Sequence, residues 1–187
     1  MTQLMKTTMT TKLWQLIGAA ILLFSVSGVV LAATVEFSPS PINVAPGETF
    51  NVDIIGINFT ELASGTFDLG FDSAHLQINS VSINPYFDFL PDGGGPAVGD
   101  VWSGIVFDVF VNDAAVGDFT IATINLTALG SGTSNLVILN SQFFSNTVLL
   151  DPILTPGIVD TVPIPAAVWL FGSGLIGLIG VARRKKV

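Results

Sequence analysis

The sequence of 187 residues contains no cysteine. That removes disulfides, thiolate metal sites and cysteine nucleophiles together. Export usually permits disulfides, so an exported domain of this composition must draw its stability from its core alone. Histidine occurs once, at position 75, and tyrosine once, at position 86. Lysine and arginine are missing from the whole stretch between Lys12 and Arg183, while all fourteen Asp and Glu lie from Glu36 to Asp160. The middle of the chain therefore carries a formal charge of −14 with no cation to offset it. Nucleic-acid binding through phosphates needs clustered cations, so that class is excluded. An acidic surface also repels anionic lipid and acidic polymers. It suits solubility, divalent cations or basic partners.

What is present divides into three parts: residues 1–33, 34–161 and 162–187. The first reads as a signal peptide. Lys6 and Lys12 form a basic start, Leu13 to Leu31 is largely apolar, and Val30 and Ala32 offer a small-residue cleavage pattern. An uncleaved N-terminal anchor is the alternative. The last part runs from Val162 through an uncharged stretch to Ala182 and ends in Arg183, Arg184, Lys185 and Lys186. At ~1.5 Å per residue about 20 residues cross a hydrocarbon core, so this stretch predicts a transmembrane helix. The basic cluster stays cytoplasmic, which puts the acidic domain on the far side of the inner membrane, in the periplasm. Gly172, Gly174, Gly177 and Gly180 crowd the predicted span. Ser173 and Gly177 make a small-xxx-small pair that would let two helices approach.

The order of the motif Val162, Pro163, Ile164, Pro165, Ala166, the glycine-rich span and the basic tail resembles the VPxPA variety of PEP-CTERM sorting signals of Gram-negative bacteria. The resemblance covers about 25 residues. It implies an exosortase-type enzyme as a partner, removal of the tail, and passage to the cell surface or extracellular matrix. Ile164 stands where the namesake motif has glutamate, which leaves open which sorting enzyme reads it.

The middle part alternates with the two-residue period of strands. Phe50, Val52 and Ile54 share a face in Thr49–Asn58; Phe67, Leu69 and Phe71 share one in Gly65–Asp72. Val101, Ile105, Phe107, Val109 and Val111 do so in Val101–Val111, and Ala122, Ile124, Leu126 and Ala128 in Thr120–Ala128. Leu136–Leu139 is a short apolar run. Turn signals such as Pro46-Gly47, Gly93-Gly94-Gly95-Pro96 and Gly130-Ser131-Gly132 separate these stretches. The pattern predicts an all-β antiparallel sandwich with Greek-key or jelly-roll connections.

The segment Phe37 to Asn58, the FDLGFD strand that follows it, and Asp118 to Ile138 resemble the cohesin domain in order and spacing. That resemblance implies a jelly roll of about nine strands that binds a partner through one flat sheet face. The outward residues of the FDLGFD strand, Thr66, Asp68, Gly70 and Asp72, would belong to that face. No dockerin is recognisable in the sequence, which points away from a cellulosomal scaffold and toward another surface protein or a polysaccharide.

Candidate chemistry is sparse. A Ser-His-Asp arrangement would have to use His75, beside Ser73, and no G-x-S-x-G motif is present. Fourteen carboxylates could supply a glycosidase pair, but a small domain with Tyr86 and Trp102 as its main sugar-stacking candidates offers a poor cleft. Asp88, Asp92 and Asp100 flank the loop PDGGGPAVGD and are candidate calcium ligands; a solvated glycine-rich loop is the competing reading. No other cofactor is indicated. Tyr86, Phe87 and Phe89 could form an exposed aromatic patch or plug the end of a sandwich. Asn58 and Asn125 fit the N-glycosylation pattern, and read as polar residues at strand ends. A non-enzymatic binding, adhesion or matrix protein is the reading these features favour. The alternative is a carbohydrate-binding accessory or a small secreted hydrolase.

Overall fold

The computed structural model describes residues 31–162 and 170–176. The expected signal peptide and most of the expected sorting signal, Pro163 to Ala166 and the basic tail included, lie outside the described residues. Residues 170–176 are helical. Among the described residues, no helix is long and apolar enough to cross a membrane.

The acidic part folds as eleven strands: β1 Thr34–Ser38, β2 Ile42–Val44, β3 Thr49–Leu62, β4 Ser64–Gly70, β5 Leu76–Ile83, β6 Val101–Asp108, β7 Ala115–Ala128, β8 Gly132–Phe144, β9 Leu149–Leu150, β10 Ile153–Leu154 and β11 Gly157–Thr161. One sheet has the order β10-β1-β3-β7-β5; the other has β2-β11-β8-β4-β6, with β9 paired to β8. The expectation of about nine antiparallel strands is corrected on two points. Three strands of two or three residues, β2, β9 and β10, are too short to show a period in sequence. Two pairs are parallel, β1 with β10 and β2 with β11. Pro39 and Pro41 explain the start of this pattern: lacking an amide hydrogen, they cannot continue the ladder. The chain leaves the first sheet after β1 and joins the second as β2. The end of the chain makes the same transfer between β10 and β11, across Pro156, so the two stretches run side by side.

The two inner faces meet in one apolar core. Val52 and Ile54 of β3, Phe67 and Leu69 of β4, and Ala122, Ile124, Leu126 and Ala128 of β7 are buried as the alternation predicts. Phe67, Phe87, Phe107 and Phe143 are almost wholly enclosed, with Phe87 and Phe107 ring centroids 4.6 Å apart. Gly65 makes room for them: a Cβ there would stand 2.8 Å from Cε1 of Phe107 and 3.0 Å from Cδ1 of Phe143.

Bulges shift the phase where simple alternation fails. In β3 the register slips between Gly56 and Phe59, and Asn58 takes φ 56°, so the inward set continues with Phe59 and Leu62. In β6 the pairing with β4 slips between Phe67 and Leu69, near Gly104 at φ 82°. Trp102 turns inward as a result, and Val101 is only half-buried. The strand ends at Asp108, which leaves Val111 79% exposed rather than on the core face.

The glycine-rich loop is tied down as a strap: Gly93, Gly94 and Ala97 are half-buried and the rest of it faces solvent. Asp92 exchanges backbone hydrogen bonds with Val106, the Gly95 amide donates to Ser103 O, and the Trp102 indole donates to Gly93 O at 2.7 Å. Side chains would not fit: a Cβ on Gly93 would overlap the carbonyl oxygen of Val81. The strap thus lies along the side of the sandwich where β5 and β6 are the last strands of their sheets.

Polar residues cross the outer face of the first sheet as a ladder. Asn79 donates to Asn125 Oδ1 at 2.8 Å and to Thr127 Oγ1 at 2.9 Å, and Asn125 donates to Asn51 Oδ1 at 2.7 Å. Thr123 donates to Asp53 at 2.6 Å. Asn125 therefore lies inside β7, and Asn58 at a bulge inside β3, not at strand ends.

Candidate functional site

Strand β4 sits between β6 and β8, in the interior of the second sheet. Its even-numbered side chains point away from the core because Phe67 and Leu69 point into it. Thr66 and Asp68 are half-buried on this outer face. Asp68 accepts from the Gly104 amide at 2.9 Å and from Asn140 Nδ2 at 2.8 Å. The Asn140 bond, then the Gly104 bond, hold its carboxyl below the usual aspartate range. Asp68 thereby ties all three strands together.

Gly70 lies beneath Val137 and Leu139, which would stand 2.7 and 2.9 Å from a Cβ placed there. The strand stops at Gly70, so the fourth candidate, Asp72, lies in the turn that follows. Its backbone carbonyl accepts from His75 and Leu76, and its carboxylate accepts from the Ala74 amide. Gly70 and Asp72 line an open depression of about 400 Å³ together with Asp100, Asn135, Val137 and Leu139. Thr66 and Asp68 lie farther along β4. The structure thus places three of the four candidates on one sheet face and the fourth at its rim. Val137 and Leu139 are not among the face residues expected from sequence. Their signal was the unbroken apolar run Leu136–Leu139, which fits a strand apolar on both sides.

The turn after β4 is held by charge-assisted bonds. His75 Nδ1 lies 2.7 Å from Asp72 Oδ2. Ser73 donates its hydroxyl to Asp100 Oδ1 at 2.6 Å and its amide to the same oxygen at 3.0 Å. Asp72 is held low chiefly by the bond to His75, and Asp100 chiefly by the Ser73 hydroxyl. A nucleophilic serine would need its hydroxyl against the imidazole. Here the Ser73 hydroxyl is committed to Asp100, so these residues do not assemble a triad.

The candidate calcium ligands serve three different places. Asp88 accepts from the amides of Phe110, at 2.7 Å, and Val111, and these bonds, Phe110 first, keep its carboxyl low. Asp92 accepts from Gly94, and Asp100 from Ser73. Among the described residues, no group of three or more acidic or histidine side chains could hold a metal ion. The aromatic trio divides as well. Phe87 plugs the core between Phe107 and Phe119, whereas Tyr86 and Phe89 are exposed. The Tyr86 hydroxyl donates to Asp113 O at 2.9 Å.

No family model matches the chain, and no curated protein matches it. Solved structures do. The sixth cohesin of scaffoldin B from Acetivibrio cellulolyticus, in complex with a Cel5 dockerin mutant, aligns with TM-score 0.60 and 14% identity over 71% of this chain and 100% of the other. A non-cellulosomal cohesin from the archaeon Archaeoglobus fulgidus aligns with TM-score 0.59 and 14% identity over 73% and 96%. A type I cohesin in a cohesin–dockerin complex from Clostridium thermocellum aligns with TM-score 0.58 and 14% identity over 71% and 100%. The chain is therefore an all-β sandwich with a cohesin-like fold.

Proposed function

We propose that the acidic domain is a non-enzymatic protein-binding module that docks its partner on the outer face of the second sheet. The observation that carries this reading is the face itself: Thr66, Asp68 and Gly70 on a central strand, beside an open depression floored by Val137 and Leu139 and rimmed by Asp72 and Asp100. A flat, partly apolar surface with fixed carboxylates suits recognition of another folded protein. The uncommitted hydroxyl, imidazole and metal cluster that catalysis would ask for are not gathered there. The cohesin-like fold supports the same reading, since cohesins of this shape are seen in complex with dockerins. The partner of this chain is a surface or matrix protein rather than a cellulosomal one.

Export and sorting belong to the same proposal. The N-terminal segment directs secretion, and the VPIPA motif with its apolar span and basic tail serves as an address for an exosortase-type enzyme. The domain then passes to the cell surface or matrix in an adhesive role. Two experiments test the pair of readings. Thr66→Arg on the exported protein should abolish capture of its surface partner without lowering the melting temperature; undiminished capture would remove the face. Mass spectrometry of the surface-located protein should show a C-terminus upstream of Arg183, and a chain intact to Val187 would overturn the sorting reading.

A further inference from the structure

A second surface lies at the other end of the sandwich. In the β4–β6 pairing, Gly70 opposes Val101 at one end and Ser64 opposes Asp108 at the other. The depression belongs to the first end, and the turn that follows Asp108 to the second. There Phe110 stacks on Phe89, with centroids 5.4 Å apart and planes 28° apart. The pair is not core: Phe110 is 74% exposed and Phe89 42%. Leu90 and Val111 beside them are also open to solvent. Asp88 holds the turn in place through the amides of Phe110 and Val111, so a carboxylate lies at the base of the stack. Asp113 lies three residues beyond Phe110 and is exposed.

Two stacked phenyl faces among carboxylates form an environment of one electrostatic character. The ring face and the carboxylate both attract a cation. The domain supplies no cation of its own, because lysine and arginine are absent from residues 34–161. A planar guanidinium satisfies the site better than an ammonium, since it stacks on the ring while its N–H groups reach a carboxylate. We propose that the Phe89–Phe110 stack, with Asp88 and Asp113, is a docking point for an arginine-bearing segment of a partner protein. This surface is distinct from the β4 face and does not depend on it.

Binding of two synthetic decapeptides to the full-length chain in mild detergent at 150 mM salt tests it. One alternates arginine with glycine, and the other alternates lysine with glycine. The arginine peptide should bind roughly three- to fivefold tighter, the difference expected of one exposed stacking contact. Phe110→Ala should erase that preference, Phe110→Tyr should keep it, and Thr66→Arg should leave it unchanged. Because Phe110 is largely exposed, a loss of fold is not expected, and an unchanged circular dichroism spectrum checks this. Equal binding of the two peptides, or a preference that persists in Phe110→Ala, would overturn the proposal and leave only nonspecific attraction to an acidic domain.

Discussion

At Gly93 the backbone passes so close to the Val81 carbonyl that only hydrogen fits. Gly93→Ala must push the strap away and should lower stability by about 3 kcal/mol, at the upper end of overpacking costs. Thermal or urea unfolding measures it, and an unchanged midpoint would contradict a strap tied down at Gly93. Asp100 presents a pH-dependent case. Its carboxyl is held low by the Ser73 hydroxyl and amide. Such a group adds stability above the ordinary aspartate value of ~3.9 and loses it as pH falls through the lowered folded value. Asp100→Asn should therefore melt earlier than the parent at pH 7, and the two should converge in acid. Roles of this kind were hidden in the sequence. Asp88, Asp92 and Asp100 flank a glycine-rich loop and so resemble an ion site. The fold instead bonds each one to a different backbone turn. His75 and Ser73 are two residues apart, yet the hydroxyl chooses Asp100, which is 27 positions away.

Among the elements, the long strands were legible and the short ones were not. The inward sets of β3, β4 and β7 follow from alternation because each strand buries one face. Bulges at Asn58 and Gly104 then change the phase, and these arise from cross-strand pairing that a single strand cannot announce. Strands β2, β9 and β10 hold only two or three residues, below any period. The Asn/Thr ladder belongs to this scale too. Asn125 bridges β3 and β5 through Asn51 and Asn79, so Asn125→Ala removes two cross-strand bonds at once. On a partly exposed face each is worth about 0.5–1.5 kcal/mol. A destabilisation of about 1–3 kcal/mol is expected by denaturant titration. No change would mean that water replaces the ladder without loss.

Over the whole molecule, a domain charge of −14 means self-repulsion that folding must overcome. Salt shortens the reach of that repulsion from about 30 Å at 0.01 M to about 3 Å at 1 M. The melting temperature should rise with sodium chloride, and a fall would show that local bonds to carboxylates outweigh the net field. The strap has a consequence for the molecule among its own copies. A sheet's last strand normally presents open amides and carbonyls, a template on which another chain can pair and fibrils can start. Here Asp92 to Gly95 occupies that position beside β6 and lies against β5, while β2 and β10, the outermost strands on the other side, are only three and two residues long. Copies of this domain that meet one another are thus offered very little backbone to polymerise on.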